Sequence, residues 1–80
     1  MKIRLRVKEK TEIPITTEYI KLESFLKLAG IAETGGLAKG MIQDGEVWVN
    51  GEICTMRGKK LRPGDSVSCM GQGFLVTNEA

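Results

Sequence analysis

Val47-Trp48-Val49 and Glu52-Ile53-Cys54 flank an Asn50-Gly51 pair. Two β-rich runs joined by Asn-Gly leave little choice but a hairpin closed by a two-residue type I′ turn, because that turn needs positive φ at both central residues. A lone hairpin is marginal in water, so the rest of the chain must cover one of its faces. Pro63-Gly64-Asp65 marks a second reversal, placed just before a strand at Ser66–Cys69. Residues 71–73 turn the chain again into a last strand at 74–76.

The covering elements are two short helices. Leu22, Phe25, Leu26 and Ala29 recur at helical spacing, with Lys21, Glu23, Ser24 and Lys27 on the wet side and Gly30 as terminator. Thr34 is placed to cap a second helix over residues 34–44, with Leu37, Ala38, Met41 and Ile42 as its apolar positions and Gly45 as its stop. Gly35, Gly36 and Gly40 each cost that helix roughly 1 kcal/mol relative to Ala, so packing must hold it.

Before the first helix, Lys2-Ile3-Arg4-Leu5-Arg6-Val7-Lys8 alternates apolar and basic residues and reads as a half-buried strand with a basic outer face. Residues 12–19 are also extended, and Pro14 belongs at a sheet edge or bulge because it has no N–H. The expected fold is α+β: two short helices packed on a small antiparallel sheet, with a helix–helix–hairpin core at residues 20–67 and residues 1–19 added to the sheet. At 80 residues, a single domain over residues 1–80 is expected.

Catalysis finds few candidates. The chain has no His, so the usual proton shuttle near neutral pH is missing. Asp44 and Glu46 flank a turn at Gly45, where water solvates them. Cys54 and Cys69 lack CxxC spacing and a His partner, which argues against a structural zinc site. No phosphate loop of the Walker or dinucleotide type occurs. The reading is therefore a chain that is not an enzyme, with no cofactor, no metal and no small-molecule substrate. No leader or apolar span is expected, and a reducing cytoplasm follows as the setting, with both thiols serving as small apolar side chains.

The net charge of +2, from 12 Lys/Arg against 10 Asp/Glu, says little about partners. The spacing says more. The run Leu28-Ala29-Gly30, Thr34, Ala38-Lys39, Ile42, Gly45, Val47, Val49-Asn50-Gly51 and Leu61-Arg62-Pro63-Gly64-Asp65 resembles the ribosomal-protein S-four type of RNA-binding domain, also found in pseudouridine synthases and tyrosyl-tRNA synthetases. The Thr34-Gly35-Gly36 and Arg57-Gly58-Lys59-Lys60-Leu61-Arg62 segments look similar to its small stand-alone YaaA-like members. The resemblance implies binding to structured RNA, with ribosomal RNA as the expected partner and the ribosomal subunit as a further candidate; the lack of an apolar span gives the expectation of no membrane partner. Many members carry Arg-Leu-Asp where this chain has Lys21-Leu22-Glu23. Many also have Arg at the position of Gly35.

The RNA-binding candidates are Lys21, Thr34, Gly35, Gly36, Lys39, Arg57, Lys59, Lys60 and Arg62. Arg57, Lys59, Lys60 and Arg62 are read as lying on a loop after the hairpin, where four cations in six residues invite phosphates. Thr34-Gly35-Gly36 either opens a helix start to a backbone phosphate or makes a tight turn that needs positive φ. Lys39 falls where the family usually faces RNA with a cation. Trp48 should pair across the hairpin with Ile53, either as structural cover or as a platform for an unpaired base. The basic face of residues 2–8 reads as edge protection or as a supplementary RNA surface. The alternative to RNA binding is a protein–protein adaptor that has lost it, as the Gly35 departure permits.

Overall fold

A computed structural model describes residues 10–79; the strand expected at residues 2–8, with Lys2, Arg4, Arg6 and Lys8, lies outside them. The order is β1 (Thr11–Ile15), β2 (Ile20–Lys21), α1 (Leu22–Leu28), α2 (Gly35–Gln43), β3 (Trp48–Val49), β4 (Glu52–Ile53), β5 (Lys60–Leu61), β6 (Ser66–Cys69) and β7 (Gln72–Asn78). Five strands form a sheet in the order β1-β7-β6-β3-β4, while β2 and β5 form a separate two-stranded ribbon.

The α+β class holds, with one refinement. β7-β6-β3-β4 is antiparallel, but β1 runs parallel to β7. Among the described strands β1 is outermost, and Pro14 sits on it, where its missing N–H costs least. The hairpin is as expected: Asn50 has φ 51° and Gly51 φ 88°, and Trp48 pairs with Ile53.

Both helices end alike. Gly30 takes φ 80° while its N–H donates to the Lys27 carbonyl and that of Ile31 to the Leu26 carbonyl. Gly45 takes φ 77°, with the matching bonds Gly45 to Ile42 and Glu46 to Met41. This is the Schellman arrangement, which uses a left-handed residue to satisfy the last carbonyls.

Leu22, Phe25 and Leu26 of α1 and Ala38 and Ile42 of α2 are fully buried, in one cluster with Val47, Val49, Leu61, Val67, Phe74 and Val76. Each large side chain so buried contributes about 1.5–3 kcal/mol. Phe25 meets Phe74 edge-on, with centroids 6.3 Å apart. Leu37 departs from the expected stripe. It lies in the first turn of α2 and is 55% exposed, so Ala38 and Ile42 carry the buried face.

Candidate nucleic-acid interface

The ribbon gathers the cations. Ile20 pairs with Leu61 and Lys21 pairs with Lys60. Leu61 is fully buried, and alternation along a strand therefore turns Lys21 and Lys60 outward. Two like charges directly opposite each other destabilise a strand pair. Among the described residues, no carboxylate lies within ion-pair distance of either ammonium. Lys60 Nζ instead lies 4.9 Å from the centre of the Tyr19 ring, and the Arg62 guanidinium carbon lies 5.9 Å from it. Lys21 thus stands at the end of a strand, not on the wet side of α1.

The post-hairpin segment is not a loop throughout. Lys60 belongs to β5, and the residues before it cap α1. The Lys59 carbonyl accepts from the Leu22 N–H at 2.8 Å and the Arg57 carbonyl from the Glu23 N–H at 3.1 Å. These bonds satisfy amides that a helix start leaves unpaired. The Arg57 guanidinium also lies 3.9 Å from the Glu23 carboxylate. Arg57 is therefore partly neutralised and tied to the scaffold, while Lys59 and Arg62 have no carboxylate at ion-pair distance among the described residues.

The start of α2 forms a second group. Thr34 caps the helix as expected, its hydroxyl oxygen accepting from the Leu37 N–H at 3.1 Å. Gly35 and Gly36 are helical, not left-handed, so the tight-turn reading does not account for them. Among the described residues, a Cβ at Gly35 or Gly40 would meet nothing within 4 Å, and one at Gly36 only the Thr34 hydroxyl at 3.8 Å. The fold leaves room for alanine at all three. Lys39 is exposed on the same helix. Gly36→Ala and Gly40→Ala should each raise stability by about 0.5–1 kcal/mol in urea melts, because Ala loses less backbone freedom in a helix. A phosphate seated at the helix start would make Gly36→Ala weaken RNA binding while Gly40→Ala leaves it unchanged.

The hairpin and the Pro63-Gly64 turn are joined by polar side chains. Asp65 accepts from the Arg62 N–H at 2.8 Å and from Asn50 Nδ2 at 3.2 Å, while Asn50 Oδ1 accepts from the Ser66 N–H at 2.9 Å. Gly64 takes φ 104°, and its N–H donates to the Val76 carbonyl. Beside the hairpin, a shallow recess of about 210 Å³ lies between Glu52, Ile53, Met56 and Lys59. Trp48 is 42% exposed and Ile53 54%, so the indole covers its partner only in part.

A family model described as the S4 domain matches residues 13–77. The chain belongs to the S4 domain family. It is 48% identical over 67 residues to the probable ribosome maturation protein RlbA of Bacillus subtilis (strain 168), a match covering 82% of this chain and 94% of that protein. It is also similar to the solution structure of YbcJ from E. coli, described as revealing an αL motif involved in RNA binding. There the identity is 30% and the TM-score 0.62, over 96% of both chains.

In this S4 domain the most distinctive sequence signals are scaffold. Asn50-Gly51 and Pro63-Gly64-Asp65 build the turn network that fixes Arg62 and the end of β5. Tyr19 and Glu23 contact the candidate cations, and no sequence pattern marks either for that place. Tyr19 stands just outside the helical pattern, and its role depends on a pairing forty residues away. Cys54 and Cys69 are free thiols. Burial, and to a lesser degree the Glu46 carboxylate, pushes the Cys69 thiol above its ordinary pKa, which keeps it protonated and inert. Among the described residues, no cluster of His, Cys, Asp or Glu could hold a metal, and no helix is long and apolar enough to cross a membrane.

Proposed function

We propose that this S4 domain binds structured ribosomal RNA during maturation of a ribosomal subunit, in the cytoplasm, and catalyses no reaction. The observation that carries this reading is the outward ribbon face. Lys21 and Lys60 oppose each other there without a carboxylate partner among the described residues, and Arg62 stands beside them. Such a face is unfavourable alone and becomes favourable against phosphates, which release condensed counterions when neutralised. The exposed Gly35-Gly36 start of α2 supplies amides that have no partner among the described residues, and Lys39 a further cation. The names of the two relatives support the same reading, one for RNA binding and one for the ribosome. Contacts of this kind position the domain by phosphate and shape, with little base readout.

Binding to protein-free ribosomal RNA, followed by fluorescence anisotropy as KCl is raised, tests the proposal. Lys21, Lys39, Lys59, Lys60 and Arg62 together predict a slope of log K against log salt of roughly −3.5 to −4.5. Salt-independent capture of a ribosomal fraction that survives RNase would overturn it in favour of a protein-interaction adaptor. The exposed Trp48, Ile53 and Met56 are the observation favouring that second reading.

A further inference from the structure

Tyr19 is half-buried and held from three directions. It directly precedes β2, whose register places it across from Arg62, one step beyond the Ile20–Leu61 pair. Its carbonyl accepts from the Thr17 hydroxyl at 2.8 Å, which closes the turn entering the strand. On the outward side its ring lies beneath the Lys60 ammonium and beside the Arg62 guanidinium, at 4.9 Å and 5.9 Å. Lys60 and Arg62 are both exposed, so their N–H groups are accessible from solvent while the ring restrains their stems.

Free Lys and Arg side chains carry large rotamer entropy, which is lost when they grip a ligand. A ring that already attracts both cations removes part of that cost before the ligand arrives. A ring engaged by two cations is also a poor free platform for a base. Resting on the RNA-binding reading above, we propose that Tyr19 is a positioning residue: it holds Lys60 and Arg62 so that the ribbon takes neighbouring phosphates of one RNA strand. The ligand at this site is then the sugar–phosphate backbone, engaged without stacking on Tyr19. Lys21, opposite Lys60, extends the same phosphate track.

The test uses the full chain, protein-free ribosomal RNA as the probe, and the variants Tyr19→Leu, Tyr19→Phe and Lys60→Ala. Tyr19→Leu should weaken binding about 3- to 5-fold at fixed salt, the loss expected of a modest cation–π restraint. Its salt slope should stay at the wild-type value, because every cation remains. Tyr19→Phe should restore wild-type affinity, since the ring and not the hydroxyl does the holding. Lys60→Ala should weaken binding and lower the slope by about one. Among the described residues Tyr19 is the ring that both cations meet, so ring-current shifts of the Lys60 ε and Arg62 δ protons report its grip. They should be present in wild type and Tyr19→Phe and lost in Tyr19→Leu.

If Tyr19→Leu binds like wild type while Lys60→Ala weakens binding, the positioning role is wrong and the RNA reading survives. If neither variant weakens binding, the ribbon is not an RNA contact at all. Equal losses in Tyr19→Phe and Tyr19→Leu would overturn the proposal in favour of a direct hydroxyl contact. Should Tyr19→Leu fail to fold, absent ring-current shifts in the wild type overturn it alone.

Discussion

Replacing Lys59 and Lys60 together by Glu lowers affinity for ribosomal RNA by about 100-fold at physiological salt, an effect of about 2.7 kcal/mol, and leaves the melting temperature within about 2 °C of wild type. The stability half follows from what each side chain does in the fold. Lys59 serves α1 through its backbone carbonyl, which accepts from Leu22 whatever side chain stands there. Lys60→Glu loses the contact with Tyr19, about 0.5–1 kcal/mol. It also turns the Lys21–Lys60 opposition into an opposite-charge pair, a gain of similar size. The binding half follows from removing two phosphate contacts and adding two repulsions, so the salt slope also falls by about two. Arg57 is a poorer target, because its contact with Glu23 mixes binding with stability. Undiminished binding by the double variant would remove the ribbon and its loop from the interface.

Local chemistry made much of this fold legible. The Asn50-Gly51 turn, the Thr34 cap and the Gly30 and Gly45 helix ends each depend on residues within five positions of one another, and each stands where the spacing puts it. What stayed hidden is what depends on distant pairing. Nothing in the residues of β1 says that it will run parallel to β7, because strand direction is set by the path of the intervening chain. The two-residue strands β2 and β5 are too short for alternation to reveal them. The run over residues 57–62 therefore reads as a uniform loop, although Arg57 is anchored, Lys60 is in a strand and Tyr19 lies beneath two of its cations. Leu37 is apolar and helically spaced, so the pattern counts it among the apolar positions of α2. Thr34 sets the helix start, and the first turn falls outside the buried face.

Asn50→Ala should cost about 2–4 kcal/mol, read as a lower urea midpoint with an unchanged m-value. Two separable effects add. The side chain bridges two turns: Nδ2 donates to Asp65 and Oδ1 accepts from the Ser66 N–H. Losing these leaves Ser66 and Asp65 to water at about 0.5–1.5 kcal/mol per bond. Position 50 also sits at φ 51°, where Ala pays roughly 1 kcal/mol that Asn largely avoids and Gly does not pay at all. Asn50→Gly therefore isolates the hydrogen bonds, and the difference between the two variants isolates the backbone term. The damage should reach the interface as well, because the same Asp65 carboxylate holds the Arg62 N–H at 2.8 Å. A loosened Asp65 lets the end of β5 drift, so Asn50→Ala should weaken RNA binding by a few-fold while leaving the salt slope intact. A cost below about 1 kcal/mol would mean that the hairpin and the Pro63-Gly64 turn hold their positions without Asn50, and the sheet pairing of β3 with β6 would then be what fixes Arg62.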